Sequence, residues 1–254
     1  MQFEIRAPLL HDMVRLNSRW YPHKPAVIDE QKTLSWSEID ANSNSVANGL
    51  IELGVNKGDC VAILMTNCVE YAEIMFGILK AGAVIVPLNL AVNRDGLTTM
   101  LIDALAKVIF FTPAQHLTLP DWQTDVNSLV ASFTFGESSA ASNRDYETWR
   151  DQLSNIDPMV EIADDDPCNI IYSSGTTGLP KGIKHIHRRR IQSMYELSLA
   201  HRYHFGVISI CPIGLYSNIA WASLFCALIV GGTCVIQERF DPKIWIDTVK
   251  QYHV

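Results

Sequence analysis

A chain of 254 residues is long enough to bury roughly three quarters of its extended surface, which allows one large domain or two small ones. Its net charge of −7 has the wrong sign for a nucleic-acid footprint, which shows as a basic domain. Charged residues make up 19% against about 25% in an average globular chain, so part of the surface is expected to meet more protein.

The six cysteines, at 60, 68, 168, 211, 226 and 234, show no CxxC spacing and mostly lie in apolar runs. Buried free thiols are the simplest reading and fit a reducing, cytoplasmic setting. The N-terminal stretch Met1-Gln2-Phe3-Glu4-Ile5-Arg6 carries an early acid and no long apolar core, so no signal peptide is expected.

In chain order, residues 8–20 place Leu9, Leu10, Met13, Val14 and Leu16 at helical spacing, and a proline-rich break follows. Ala26–Ile28 and Lys32–Trp36 read as paired short strands. Ser35 and Glu38 have the spacing of a capping box, so a helix is expected to start there and to end at Gly54, with Ile39, Val46, Leu50 and Leu53 turned inward. Cys60–Met65 is a continuous apolar run of the kind found in parallel strands covered on both faces. Glu70–Lys80 reads as a helix with Tyr71, Ile74, Met75, Ile78 and Leu79 inward, Ala83–Val86 as a strand, Gly96–Ala106 as a helix and Val108–Phe111 as a strand. This alternation predicts a doubly wound α/β fold with mostly parallel sheets sandwiched by helices.

Residues 113–167 are less patterned, with small residues at Ser138–Ser142 and three adjacent acids at Asp164–Asp166. A solvated turn suits the acids better than a metal site, because neighbouring side chains diverge and no further ligand spacing is present. No metal ligands are assigned. A boundary is expected here, giving a first α/β subdomain over 1–165 and a second starting over 166–254.

The stretch Tyr172-Ser173-Ser174-Gly175-Thr176-Thr177-Gly178-Leu179-Pro180-Lys181-Gly182 follows the apolar pair Ile170-Ile171 and is expected to precede a helix. Ser174 to Thr177 leave main-chain N–H groups unshielded and add hydroxyl donors, while Gly175 and Gly178 allow close approach to a ligand. Lys181 adds a positive charge, presented by a backbone that Pro180 restricts. A flexible Ser/Thr/Gly linker is the alternative that composition allows. A Walker loop is not, since Lys181 is followed by Gly182 rather than Ser or Thr.

This string closely resembles the signature loop of the adenylate-forming superfamily: acyl-CoA synthetases, peptide-synthetase adenylation domains and luciferases. Leu34–Ile39 and Leu79–Asn89 resemble two earlier family motifs built of packing and turn residues, so the likeness spans nearly the whole chain. It implies the N-terminal subdomains of the adenylate-forming fold, with Ser173, Ser174, Gly175, Thr176, Thr177, Gly178, Leu179, Pro180 and Lys181 binding the phosphates of ATP.

Beyond the loop, Lys184–Arg190 is the strongest basic cluster. Nucleic acid, phosphate or CoA contact and the opening of a helix over Ile191–Ala200 are all readings of it. His187 matches a histidine common in the family, with a structural role at the helix start as its alternative. Phe205–Gln237 contains no Asp, Glu, Lys or Arg, but Pro212, Ser217-Asn218 and Gly231-Gly232 interrupt it. Its longest segment, 218–230, would rise only about 20 Å as a helix, against about 30 Å for a bilayer core; a buried helix between two strands is expected, and no transmembrane segment. After strand Val207–Cys211, Tyr216-Ser217-Asn218 resembles a variant of the acyl-site segment in some acyl-CoA ligases. Tyr216 suits a ligand wall or a core position.

The resemblance implies two half-reactions: acyl-adenylate formation from ATP with release of pyrophosphate, then thioester formation with a thiol, usually that of CoA. ATP, Mg2+ and CoA are thus the expected cofactor and co-substrates, and a small-molecule carboxylic acid the partner. Between Leu197 and Gln237 there is no acidic residue. A buried substrate ammonium would lack a counter-charge there, which favours a hydrophobic acid without an α-amino group and hence an acyl-CoA ligase. A carrier-protein-loading adenylation domain and a non-catalytic nucleotide-binding module are the alternatives. The family's Thr-Glu magnesium segment, ribose aspartate, hinge and C-terminal domain with its adenylation lysine have no counterpart within 1–254. No catalytic residue is therefore assigned, and these residues are expected to be an N-terminal portion that does not turn over alone.

Overall fold

The computed structural model describes residues 7–112, 125–135, 143–173 and 180–254. The chain starts with α1 (Leu10–Trp20), then β1 (Pro25–Ile28) and β2 (Thr33–Ser35). α2 (Trp36–Glu52) begins with the expected capping box: Ser35 Oγ accepts from the Glu38 amide, and the Glu38 carboxylate accepts from the Ser35 amide at 2.8 Å. Gly54 follows its end with φ +81°, a backbone conformation that a side chain would strain.

β3 (Cys60–Leu64), α3 (Val69–Lys80), β4 (Val84–Pro87), α4 (Arg94–Asp103) and β5 (Val108–Phe111) come next, followed by β6 (Ala131–Thr134), β7 (Arg144–Asp145) and α5 (Tyr146–Asp151). β8 (Pro167–Ser173) and β9 (Lys181–Ile186) precede α6 (His187–Ala200). The chain continues through β10 (Ile208–Cys211), α7 (Asn218–Ile229), β11 (Thr233–Ile236) and α8 (Pro242–Tyr252). Asp241 caps α8 through the amides of Lys243 and Ile244, with Pro242 in its first turn, where a missing N–H costs nothing.

Among the described residues two sheets form. One runs β7-β6-β5-β3-β4-β8-β9 and is parallel except for the antiparallel edge pair β8/β9; the other runs β10-β11-β1-β2, with only β1/β2 antiparallel. Each sheet therefore draws strands from both sides of residue 165: β8 and β9 join β3–β7, while β1 and β2 join β10 and β11.

The apolar run over β3 is explained by its neighbours. Val61 and Ile63 face a core shared with α2 and α3, and Cys60, Ala62 and Leu64 face a second core with Leu97, Met100 and Leu101 of α4. α3 contacts α1, α2, β1 and β4, and all twelve of its residues are buried, the charged Glu73 and Lys80 included. Glu73 accepts hydrogen bonds from Asn42 Nδ2 (2.7 Å), Arg150 Nη1 (2.7 Å) and the Tyr146 hydroxyl. Burial pushes its carboxyl up, partly offset by Arg150 and Tyr146. Lys80 donates to Asp40 Oδ1 (2.6 Å), Asn44 Oδ1 (2.7 Å) and the Asp40 carbonyl (3.1 Å); burial pulls its pKa down. Partnered in this way, the charges are tolerated inside.

The charge-free run resolves into β10–α7–β11, a parallel pair bridged by a buried helix. No helix among the described residues is long and apolar enough to cross a membrane. All six cysteines are free, and all but Cys68 are buried. Asp164 and Asp166 lie in a turn that ties to Arg188 and Lys57, and among the described residues no group of three His, Cys, Asp or Glu side chains is placed to hold a metal. Residues 138–142 lie outside the described residues.

One expectation needs correcting. The segment after the glycine-rich loop is not helical at first: Lys181–Ile186 pair antiparallel with Pro167–Ser173, and the helix starts at His187. The basic cluster is thereby split, with Lys184 on an edge strand and His187–Arg190 in the first turn of α6.

Candidate functional site

The carboxyl ends of parallel strands are where open α/β sheets place ligands. At the ends of β4 and β8 lies a cleft of about 530 Å³. One wall is Pro87 and Asn89 with Val92 and Asn93 just before α4 and Gly96 and Met100 within it; the floor is Ile171–Ser173; and Pro180 with Tyr216, Ser217 and Asn218 complete it. Among the described residues no acidic side chain lines it.

Of the loop positions singled out in the sequence, Ser173, Pro180 and Lys181 are described, and Ser174, Gly175, Thr176, Thr177, Gly178 and Leu179 lie outside the described residues. Ser173 pairs with Lys181 across β8/β9, so the two ends of the string sit side by side at the cleft. Tyr172 is anchored below it, donating its hydroxyl to Asp103 Oδ2 at 2.6 Å.

The segment 212–218 comes from the other sheet and is held to the cleft by residues that sequence reasoning did not select. Asn67, just past β3, donates Nδ2 to the Ile213 carbonyl (2.8 Å) and the Gln237 carbonyl (3.0 Å) and accepts from the Leu215 amide at 2.8 Å. Trp221 donates its indole N–H to the Leu215 carbonyl at 2.6 Å. Ser217 caps α7 by accepting from the Ala220 amide, which places Asn218 as the first helical residue. Gly214 lies so close under Tyr216 that a Cβ there would come within 2.1 Å of the ring. The half-buried Tyr216 also lines an adjoining cavity of about 350 Å³ with Met65, Leu90, Ile213 and Phe240, so it stands between the two spaces rather than in the core.

His187 is buried at the start of α6, its ring edge-on to that of His11 at 5.7 Å, and does not line the cleft. A separate cavity of about 330 Å³ is bordered by Asp29, Glu30, Glu70, Glu147 and Glu238, with Lys32 paired to Glu70 and Glu147. Its acidity suits neither a polyphosphate nor a carboxylate.

Family comparison decides the class. The AMP-binding enzyme family matches residues 15–254. The chain belongs to that family. It is 30% identical over 217 residues to the long-chain-fatty-acid–CoA ligase FadD13 of Mycobacterium tuberculosis, covering 84% of this chain and 41% of the relative. It is 26% identical over 251 residues to an L-proline–L-prolyl-carrier-protein ligase of Pseudomonas fluorescens, covering 97% and 49%. The chain thus spans less than half the length of either relative. Its fold is shared with MbtA of Mycobacterium smegmatis, with a TM-score of 0.90 at 23% identity over 98% of this chain and 47% of that one. The adenylate-forming α/β fold expected from the sequence is the fold of this protein.

Proposed function

We propose that this chain is the nucleotide- and acid-binding part of an ATP-dependent acyl-CoA ligase. In this reading Ser173–Lys181 restrains the phosphates of ATP while a hydrophobic carboxylic acid lies against Tyr216, Ser217 and Asn218. The observation that carries it is convergence: the two ends of the hydroxyl-and-glycine string and the Tyr216–Asn218 turn, from different sheets, border one cleft that no acidic side chain lines among the described residues. Activation requires the acid's carboxylate to attack the α-phosphorus in line, so the residues must hold the triphosphate and neutralise charge on its oxygens. Amides and hydroxyls near Thr176 with the Lys181 ammonium suit that task. Magnesium would add charge neutralisation, but the described residues offer it no cluster of ligands, and no step is assigned to it. CoA would then take the acyl group on its thiol. The lack of a carboxylate among the described residues of the cleft favours acids without an amino group, because a buried ammonium would be left uncompensated.

The 254 residues are expected to bind ATP and acid but not to turn over alone. The test is calorimetric titration with ATP for the parent chain and the double variant Thr176→Ala/Lys181→Ala. At least about tenfold weaker binding in the variant, the factor set by 1.4 kcal/mol, supports the loop's role; unchanged affinity removes it. Pyrophosphate exchange with a full-length protein containing this chain, run with fatty, aryl and amino acids, tests the acid class. Thioester formation on free CoA, rather than on a phosphopantetheine carrier, distinguishes the ligase from a carrier-loading enzyme.

A further inference from the structure

Arg190 is a buried cation with no ion pair among the described residues. It is 6% exposed: Nε and Nη2 donate to Asn169 Oδ1 at 3.2 and 3.0 Å, Nη1 donates to Asn218 Oδ1 at 3.1 Å, and the Cys168 thiol, pushed up to about 12 by burial and so uncharged, is a further partner. Its guanidinium lies 4.9 Å from the ring centroid of Trp221, one helical turn beyond Asn218. Asn169 is turned in the same sense, its Nδ2 3.2 Å from His185 Nδ1.

A guanidinium only donates hydrogen bonds, so the amide of Asn218 has one permitted orientation: oxygen toward Arg190, N–H2 away from it. Asn218 lines the cleft. The wall it forms is therefore a hydrogen-bond donor backed by a positive charge. A buried charge normally has a counter-ion; among the described residues neither the hydrogen-bonded groups around Arg190 nor the lining of the cleft contains one.

Resting on the reading of this cleft as the acid's site, we propose that Arg190 is a positioning residue: it fixes the donor face of Asn218 and supplies the positive potential that draws the carboxylate of the acid to that wall. The carboxylate accepts from Asn218 Nδ2–H, and Arg190 acts through the amide without touching the ligand. This predicts discrimination by charge at constant shape.

The test is calorimetric titration of the 254-residue chain with benzoate and with its neutral isostere benzamide, and with hexanoate and hexanamide as the aliphatic pair. The parent is expected to prefer each acid over its amide by about tenfold or more, as an effective 1.4 kcal/mol requires. Arg190→Met should bring the ratio close to one, and Arg190→Lys, which keeps the charge but not the planar fork, should fall between. In Asn218→Asp the new carboxylate pairs with Arg190 and shows the cleft an acceptor, so benzoate binding is lost and benzylamine binding appears. Loss of acid and amide binding in equal proportion in Arg190→Met would show a merely structural role and overturn the proposal. So would a parent that does not distinguish benzoate from benzamide, or a variant that weakens ATP but leaves benzoate unchanged. The loop's part in ATP binding is tested separately with Thr176→Ala/Lys181→Ala, so failure of this proposal and failure of that reading are distinguishable. If Arg190→Met fails to fold by circular dichroism, Arg190→Lys and Asn218→Asp decide.

Discussion

Asn67 is the side chain on which the two halves of the cleft depend most. It is 5% exposed and makes three hydrogen bonds of 2.8–3.0 Å to backbone groups 146 to 170 residues away. Asn67→Ala removes all three and leaves the Leu215 amide and the Ile213 and Gln237 carbonyls short of a partner. At about 1 kcal/mol net for each bond, the loss is about 3 kcal/mol. For a chain of this length about 2–4 °C accompanies each kcal/mol, so the melting temperature should fall by about 6–12 °C. Urea unfolding followed by circular dichroism and tryptophan fluorescence measures it, provided that the two transitions coincide. Asn67→Asp adds a second signature. It keeps an acceptor for the Leu215 amide but turns another oxygen onto two carbonyls, which raises the new carboxyl above its unfolded value. The penalty is then full at neutral pH and relieved as pH falls through the folded pKa. A loss below about 1 kcal/mol in Asn67→Ala, within the range of ordinary surface changes, would show that the 212–217 segment does not need this anchor.

Gly214→Val should force the Tyr216 ring aside, because the new Cβ would meet it at 2.1 Å; acid affinity should fall while ATP affinity stays within about twofold, as parallel titrations would show. Asp157 provides a pH test. Burial alone would raise its carboxyl, but the hydrogen bonds from Arg15 and its charge bring it below the usual 3.8. The stability it contributes is present above the unfolded pKa near 4 and lost as pH falls through the lower folded value. Asp157→Asn should therefore cost about 2 kcal/mol at pH 7, with the difference from the parent closing below about pH 4, read from urea midpoints across that range.

The elements legible in the sequence were those whose pattern is local. The Ser35/Glu38 box, the run at Cys60–Leu64 and the punctuated helix at Asn218–Ile229 each carry their signal within a dozen residues, and the structure has all three. β9 was missed because Gly182, Lys184 and His185 are polar or small on an exposed edge strand, so no apolar alternation marks it; its strand character comes from pairing with β8. The short β7 and α5 were missed for want of length. For α3 only Tyr71, Ile74, Met75, Ile78 and Leu79 were read as inward, whereas contacts on several sides also bury Glu73 and Lys80 with partners from α2 and α5. The site divides in the same way. The proposed site residues Ser173–Lys181 and Tyr216–Asn218 were visible as strings of chemistry, but Asn67, Asn169 and Arg190 reach the cleft through tertiary contacts that no spacing reveals. The mixing of strands between the two sheets is likewise a long-range property: β1 finds β11 more than two hundred residues on.

The most direct measurement of the central claim is a crystal structure of the 254-residue chain with bound ATP. The account predicts the triphosphate against the main-chain amides and hydroxyls of Ser173–Thr177 with the Lys181 ammonium beside it, and the cleft wall at Tyr216–Asn218 open to an acid next to the α-phosphorus. Nucleotide bound elsewhere, with those amides turned to solvent or packed against unrelated side chains, would contradict it.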